Sequence, residues 1–599
     1  MGDRGQLVRA LRGAGPVPVA VLVVLALARA LLPAASAVAM AVLVGHVTGR
    51  APLWLPVLAF LAILLLGHVV DAVRAPVDAL VRARVDGAHR AEVARLCSAV
   101  PTIAELEDPE IQDLIRLATA EPRNWTEHTP GGGAIAQVGA LAQWVGGLGA
   151  AGVVAAYAWW LLPILVVPAF ASRAVQRRVV LMFARMWVGG QREARRFDGW
   201  RDVLMSPAEG KEQRVYGFGE WAVERQVHGI HVMFDKMWRY RRKVHDWLLL
   251  TMMAIPLGVV YATVATGVVH GRATVATETA VLAAGLAVYL ATGGSGYAMA
   301  IEGAVPGVVA LRELRTRLAV PPPAAPAVAV PAGPSRIELR GIRFQYPGTD
   351  QPVLDGLDLD IEPGELLAIV GLNGAGKSTL IKLLAGLYRP DAGTITAAGV
   401  DLRELGPAGW REQISVVFQD FVRYGLSAAD NIALGHATVP PDRAAIEAAA
   451  EEAGLRPVLD RLPDGLSTLL ARNRTGGVDL SGGQWQQVVL ARALYAVHTG
   501  ATLLVLDEPT AHLDVRSEFE LFGRLAGRAG KTSVVLISHR LSTVRHADRI
   551  VLLDGGRITE SGTHAELMAR HGGYARMFTI QAERFSRGFE DRVEEDELR

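Results

Sequence analysis

The first half of the chain alternates long apolar stretches with long polar ones. Six of the apolar stretches approach or exceed the roughly 20 residues that a helix needs to cross the core of a bilayer. They cover residues 17–47, 52–73, 133–157, 158–175, 246–269 and 278–302. Almost no polar residues separate the third from the fourth, where we interpret Pro163 and the aromatic cluster at 157–160 as an interfacial turn. The pattern predicts a membrane domain of six helical spans.

Composition and charge support this reading. Hydrophobic residues make up 51% of the 599 residues, and the mean hydropathy of +0.26 is too high for a soluble two-domain enzyme. The long polar segments after the second and fourth stretches are rich in arginine and helical in pattern, so we expect cytoplasmic stalks there. The short connections near 49–52 and 271–277 then face outward, which predicts a plasma-membrane protein with both termini in the cytoplasm.

The second half carries a phosphate-binding pattern. Residues 371–378, GLNGAGKS, follow the apolar run Leu366–Val370 and satisfy G-x-x-x-x-G-K-[ST]. Glycines let backbone N–H groups turn toward phosphate oxygens, and the helix that begins near Lys377 directs its positive end at the same anion. Lys377 is expected to reach the β- and γ-phosphates of ATP, and Ser378 to ligate Mg²⁺.

Two further motifs follow in sequence. Residues 480–484, LSGGQ, predict a second anion site, with Ser481 as the N-cap of a helix running from Trp485 through Tyr495. A buried strand at 503–506 then ends in the paired carboxylates Asp507 and Glu508, which resembles the Walker B motif. The resemblance implies that Asp507 holds the metal and that Glu508 polarises the attacking water.

Together these motifs resemble the ATP-binding cassette (ABC) family, and the chain is similar to exporter-type half-transporters. The sequences of residues 417–424 and 476–486 resemble those of exporters of actinobacterial type. The resemblance implies an adenine-stacking Tyr346, a magnesium-sensing Gln419, a signalling Asp514 and a γ-phosphate switch at His539. The residues predicted to bind ATP are Tyr346, Gly371, Asn373, Gly374, Gly376, Lys377, Ser378, Thr379, Gln419, Ser481, Gly483, Gln484, Asp507 and Asp514. Glu508, His539 and Gln419 are the predicted catalytic residues, and Ser378, Gln419 and Asp507 the predicted Mg²⁺ ligands.

Three positions depart from the family pattern. Thr475 stands where exporters usually carry a glutamate that helps transmit motion from the transport domain. Gln487 replaces a basic residue and His512 a small one, and neither change removes a group expected to touch nucleotide.

The resemblance implies a fold of two domains, a six-helix all-α membrane domain and an α/β P-loop NTPase. We expect the membrane domain at 1–320, a proline-rich linker at 321–335, the ABC domain at 336–585 and a charged tail at 586–599. Residues 107–114 and 206–212 fall where the family places its two coupling helices. One complete motif set favours a homodimer with two equivalent sites over a heterodimer with a degenerate partner chain. The dimer is expected to lie in the lipid bilayer and to have no nucleic acid as a partner.

Several alternatives stay open at this point. DNA-repair ATPases share the cassette, but they need coiled coils and no membrane spans. An exporter-shaped importer, for example of siderophores, and an ATP-gated regulatory protein both fit the same motifs. The net charge of +1 identifies no partner, and the single Cys97 excludes an intramolecular disulfide.

The solute is predicted only as a modified peptide natural product or an amphipathic small molecule. Arg29, His68 and Asp71 are ionisable residues within apolar stretches, which suits either a solute cavity or pairing between helices. The aromatic residues that lie in such stretches and suit either a pocket or packing are Trp144, Tyr289 and Tyr297.

Overall fold

The computed structural model describes residues 3–122, 128–179, 182, 204–205, 210–241, 246–292, 296–318, 333–509, 523–524, 531–538 and 544–586. The chain forms two compact units. The helical unit comprises Met1–Ala99 and Asp108–Ala319, and the sheet unit comprises Val100–Glu107 and Val320–Arg599. The predicted linker lies almost wholly outside the described residues, as does the charged tail.

Long helices dominate the helical unit. In chain order the helices before the linker are α1 (Asp3–Ala10), α2 (Pro16–Thr48), α3 (Trp54–Ala99), α4 (Ala104–Glu107), α5 (Pro109–Thr119), α6 (Pro130–Ala158), α7 (161–179), α8 (Gly210–Tyr216), α9 (Gly219–Arg241), α10 (Asp246–Val269), α11 (Val275–Thr292) and α12 (Tyr297–Arg317). All of them belong to the helical unit except α4. At 46 residues, α3 continues well past the apolar stretch at 52–73, as expected for a stalk.

Five helical stretches in the described part of the chain are long and apolar enough to cross a membrane. They are α2, α3, α6, Leu250–Val269 within α10, and Val275–Arg317, which contains α11 and α12. The fourth predicted span falls on α7, which follows a turn at Trp159 and Trp160. Its second half carries Arg173, Arg177 and Arg178, which lower its apolar character.

Small residues bring the helices of this unit close together. A Cβ atom on Gly146 of α6 would lie 2.1 Å from the carbonyl oxygen of Ala30 in α2, and one on Gly133 would lie 2.4 Å from Ala304 Cβ in α12. Only glycine permits these approaches. Close packing of this kind stabilises contacts between helices within lipid, where the hydrophobic effect does not drive their association.

The ionisable and aromatic candidates of the helical unit mostly take part in packing. Arg29 Nε donates to Asp71 Oδ1 at 2.7 Å and so joins α2 to α3, whereas His68 is exposed. Trp144 stacks on Phe170 with ring centroids 5.6 Å apart. The last two aromatic candidates are the buried Tyr289 and Tyr297, whose ring would contact a Cβ atom on Gly139.

The sheet unit contains two sheets. The antiparallel sheet has the order β2–β1–β4–β5, and the larger sheet has the order β10–β9–β3–β8–β7–β6, parallel except for β10. The strands are β1 (Ile337–Phe344), β2 (Leu354–Ile361), β3 (Leu366–Val370), β4 (Ala392–Ala397), β5 (Val400–Asp401), β6 (Ile414–Val417), β7 (Leu503–Asp507), β8 (Ser533–Ile537), β9 (Arg549–Asp554) and β10 (Arg557–Gly562). The central strands β3, β7 and β8 are buried along their whole length.

The sheet unit also contains helices. They are α13 (Lys377–Leu384), α14 (Leu402–Leu405), α15 (Pro407–Gln413), α16 (Ala428–Ala433), α17 (Arg443–Glu452), α18 (Arg456–Leu459), α19 (Gly482–His498), α20 (His564–Ala569) and α21 (Gly573–Ser586). Parallel strands end at one edge of such a sheet, and ligands bind there in α/β folds. Both β3 and β7 deliver their predicted site residues to that edge.

The first predicted coupling helix is divided between the two units. Asp108 does cap a helix, since its Oδ1 accepts from the Glu110 amide at 2.7 Å and Pro109 occupies the first turn. That helix is α5 of the helical unit, whereas residues 100–107, including α4, belong to the sheet unit. The Asp-Pro cap is a strong sequence signal for the start of α5. The four residues of α4 are too few to form a recognisable helical pattern in the sequence. The second predicted coupling helix lies mostly outside the described residues.

Candidate functional site

The glycine-rich loop joins β3 to α13, as its sequence predicts. Gly374 and Gly376 have φ angles of +81° and +104°, a region that favours glycine. A Cβ atom on Gly371 would lie 2.3 Å from the carbonyl oxygen of Leu553. The loop is therefore fixed by close backbone packing, while Asn373 and Ser378 are exposed and accessible to a ligand.

Lys377 is the buried cation of this loop. Its side chain is nearly enclosed, with the residue 7% exposed, and its Nζ donates to the carbonyl oxygens of Gly371 at 2.8 Å and Leu372 at 3.0 Å. Burial lowers the pKa of Lys377, and the nearby carboxylates of Glu508 and Asp507 oppose that shift. A buried ammonium group facing carboxylates is an environment that suits a phosphate and a divalent cation together.

The predicted carboxylates lie at the end of β7. Asp507 is 3% exposed, and Glu508 follows with a φ of +50°, which is unusual for a residue with a side chain. The Glu508 amide donates to the Ile537 carbonyl of β8 at 3.0 Å, which holds this turn. Gln419, which follows β6, approaches Glu508 with Nε2 3.4 Å from Oε2. The structure thus brings together Lys377, Asp507, Glu508 and Gln419.

Gln486 is a site residue that the sequence reading did not single out. It is buried at 3% exposure and its Nε2 donates to the Glu508 carbonyl at 3.1 Å. The sequence signal that could have identified it is a glutamine in the first turns of a helix face that is otherwise apolar. Through this bond α19 supports the strained backbone of the proposed catalytic carboxylate.

Tyr346 contacts residues of α13, the helix that follows the glycine-rich loop. Its hydroxyl is 3.1 Å from Thr379 Oγ1, and Lys382 Nζ lies 5.6 Å from the ring centroid. Tyr388 packs edge-on against Tyr346 with centroids 5.5 Å apart. Thr379 is itself buried, so it serves to orient Tyr346 in this structure.

The LSGGQ segment forms a capped helix start. Ser481 Oγ accepts from the Gln484 amide at 3.3 Å, and Gln484 Oε1 accepts from the Ser481 amide at 2.9 Å, which is a capping box. The helix begins at Gly482, three residues earlier than the prediction, because both glycines join the first turn. Within residues 333–509 no hydrogen bond joins Ser481 to the loop at 371–378.

Several residues that the sequence analysis singled out lie outside the described residues. Asp514 and His539 are not among the described residues, nor is His512. Thr475 is exposed. The roles proposed for Asp514 and His539 therefore stay predictions from sequence.

A second set of contacts within the sheet unit involves residues 101–107, which we call the docking segment. The Ile103 amide donates to the Leu387 carbonyl at 2.9 Å, and the Tyr388 hydroxyl donates to Glu107. Burial, and secondly this hydrogen bond, raise the pKa of Tyr388, so its hydroxyl stays protonated as the donor. Arg411 also donates to the Pro101 carbonyl.

The sequence is similar to known proteins over part of its length. Residues 354–511 match the family described as ABC transporter. An ATP-dependent lipid A-core flippase of Aromatoleum aromaticum is 43% identical over 246 residues, which is 41% of this chain and 40% of that protein. A protein of the same description from Chromohalobacter salexigens is 41% identical over 276 residues, 46% of each chain. Each match spans less than half of the relative's length.

A solved structure gives the likeness over nearly the whole chain. The structure of a bacterial Atm1-family ABC exporter with ATP bound superposes with a TM-score of 0.73 and covers 94% of this chain and 98% of that one. At 23% identity the likeness concerns the fold alone.

Proposed function

Since residues 354–511 form an ABC transporter ATPase segment and the whole chain has the fold of an ABC exporter, we propose that this protein couples ATP hydrolysis to the export of a solute across the plasma membrane. The observation that carries the proposal is the cluster of Lys377, Asp507, Glu508 and Gln419 at the carboxyl edge of the larger sheet.

Each residue of the cluster has a part in the chemistry. Lys377 and the amides of the glycine-rich loop bind the β- and γ-phosphates, and Tyr346 stacks on adenine. Glu508 accepts a proton from the attacking water while Gln419 orients that water. Ser378, Gln419 and Asp507 would hold Mg²⁺, which when bound neutralises charge on the phosphate oxygens. The buried carboxylate and the exposed hydroxyl offer the oxygen ligands that Mg²⁺ prefers.

We infer that the functional unit is a homodimer with composite sites. Ser481 caps the positive end of α19, and its hydrogen bonds are with Gln484 and not with the glycine-rich loop of the same chain. A two-fold partner would place the signature of one chain over the loop of the other, which completes two equivalent sites. ATP binding would then clamp the pair, and hydrolysis would reset the solute pathway to the inside.

The relatives and the apolar helices together support a proposal for the solute class. Lipid A-core, named for the relatives, is an amphipathic lipid, and we propose an amphipathic solute for this chain as well. A modified peptide is a second candidate solute, because amphipathic peptides present the same combination of an apolar body and a polar head.

Mixed dimers test the composite sites. Lys377→Ala removes the phosphate-binding charge, and Ser481→Arg blocks the signature, so each variant alone is expected to be nearly inactive. Random co-assembly makes about half of the dimers mixed, and each mixed dimer keeps one intact site, so about a quarter of the wild-type sites are restored. Distinct tags and sequential pull-down confirm that mixed dimers formed. No recovery of ATPase activity in that fraction counts against composite sites that work singly.

A further inference from the structure

One end of the helical unit contains a cavity that the ATPase chemistry does not use. Its volume is about 830 Å³, and it opens to the surface between α2, α6 and α11. The cavity lies beside both short connections between helices, since it reaches Gly45 and His46 near the end of α2 and Arg272 just before α11. With these connections outside, as the charge pattern predicts, the cavity lies at the exit end of the bundle.

Most of the lining of the cavity is apolar. Valine and alanine side chains from all three helices line it, among them Val38, Val153 and Val281. Such a surface accommodates a hydrocarbon chain or another apolar body at little cost in desolvation.

Four polar side chains also belong to the lining, those of His46, Tyr157, Arg272 and Thr277. Arg272 supplies a guanidinium group, and His46 and Thr277 lie on the two flanking helices. His46 Nδ1 donates to the Val42 carbonyl at 2.9 Å, which leaves Nε2 for another partner. None of the thirteen described residues that line the cavity is acidic, although Glu278 follows Thr277 directly in the chain.

We propose that this cavity is a binding site for the anionic end of an amphipathic solute, with a phosphate or carboxylate at Arg272 and the apolar body along the valines. The inference deepens the proposed export function by naming a solute class. A guanidinium group binds both anions with paired hydrogen bonds, and Arg272 is exposed, so its guanidinium group is accessible to such an anion. About 830 Å³ is within the range of small-molecule sites, so it holds a headgroup with part of a chain.

Equilibrium binding to the full-length protein in nanodiscs of zwitterionic lipid, without ATP, tests the proposal. The probes are a dansyl-labelled monoalkyl phosphate and the matched neutral monoalkyl alcohol. For wild type we expect the phosphate probe to bind at least tenfold more tightly than the alcohol, with the difference reduced by salt. Arg272→Gln should remove most of that difference and leave the affinity for the alcohol within twofold.

Two further variants control for position and fold. Arg50→Gln removes an arginine at the same end of the bundle that does not line the cavity, and it should leave both affinities unchanged. Ala280→Phe fills the cavity and should weaken both probes. ATP turnover of each preparation is measured separately, so a failed ATPase and a failed binding site give different results.

Three outcomes would overturn the proposal. The first is equal affinity of wild type for the two probes, and the second is the same loss in Arg50→Gln as in Arg272→Gln. The third is displacement of the phosphate probe by phosphatidylglycerol at the levels of a bilayer, which would make the cavity a site for resident lipid and not for solute.

Discussion

The hydrogen bond between Tyr388 and Glu107 offers a direct test of how the docking segment is held. The chain runs from α3 into this segment and out into α5, so any force that ATP binding exerts on the helices has a covalent route through it. Tyr388→Phe removes one hydroxyl and keeps the ring, which packs edge-on against Phe344 at 5.3 Å and Tyr346 at 5.5 Å. The substitution therefore isolates the hydrogen bond.

The structure sets the expected size of the effect. Glu107 is exposed, so its carboxylate regains water when the hydroxyl is lost. We therefore expect the lower end of the range for a hydrogen bond to a charged group, about 1.5 kcal/mol. That energy is roughly a tenfold change in the equilibrium between the docked and the released segment.

Hydrogen exchange measures this equilibrium at one amide. The Ile103 amide donates to Leu387 in the docked segment, so its exchange requires release. In Tyr388→Phe we expect exchange of a peptide containing Ile103 to be about tenfold faster, and less solute moved per ATP hydrolysed.

A second buried tyrosine provides the matched control. Tyr495 accepts a hydrogen bond from the Asp442 amide in another part of the sheet unit, so Tyr495→Phe makes the same chemical change away from the docking segment. Exchange at Ile103 that changes less than twofold in Tyr388→Phe, or changes equally in both variants, would refute the reasoning.

Three other predictions concern the site and the topology. Glu508→Gln should retain ATP affinity while turnover falls by orders of magnitude, because the binding groups survive and alignment of water does not; near-normal turnover would exclude Glu508 as the catalytic carboxylate. Gly371→Ala should weaken ATP binding at least tenfold in equilibrium titration, since its Cβ would meet the Leu553 carbonyl at 2.3 Å, and unchanged affinity would show that the loop tolerates the shift. Thr274→Cys in a Cys97→Ser background should react with an impermeant thiol reagent on intact cells, whereas labelling only after permeabilisation would contradict the proposed orientation.

Local sequence signals predicted the glycine-rich loop well. The strand Leu366–Val370, the loop and the helix from Lys377 all depend on residues adjacent in the chain, and so does the cap at Ser481. The approach of Gln419 to Glu508 came only from family resemblance, because these residues are far apart in sequence and meet through the pairing of β6 with β7.

Features that depend on tertiary packing could not be predicted from the sequence. The assignment of residues 100–107 to the sheet unit depends on Leu387 and Tyr388, about 280 residues away, and no local pattern records that contact. The bond from Gln486 to Glu508 likewise needs α19 to lie against the end of β7. Arg29 and Asp71 fitted either a cavity or a pair between helices until their 2.7 Å contact joined α2 to α3.

ATP-driven movement of solute into inside-out vesicles tests the central proposal most directly. These vesicles expose the ATPase to the medium, so an exporter moves an amphipathic solute into the lumen when MgATP is added. We expect accumulation with wild type and none above background with Glu508→Gln, at equal protein levels. Equal accumulation with both proteins, or uptake only by right-side-out vesicles loaded with ATP, would contradict ATP-driven export.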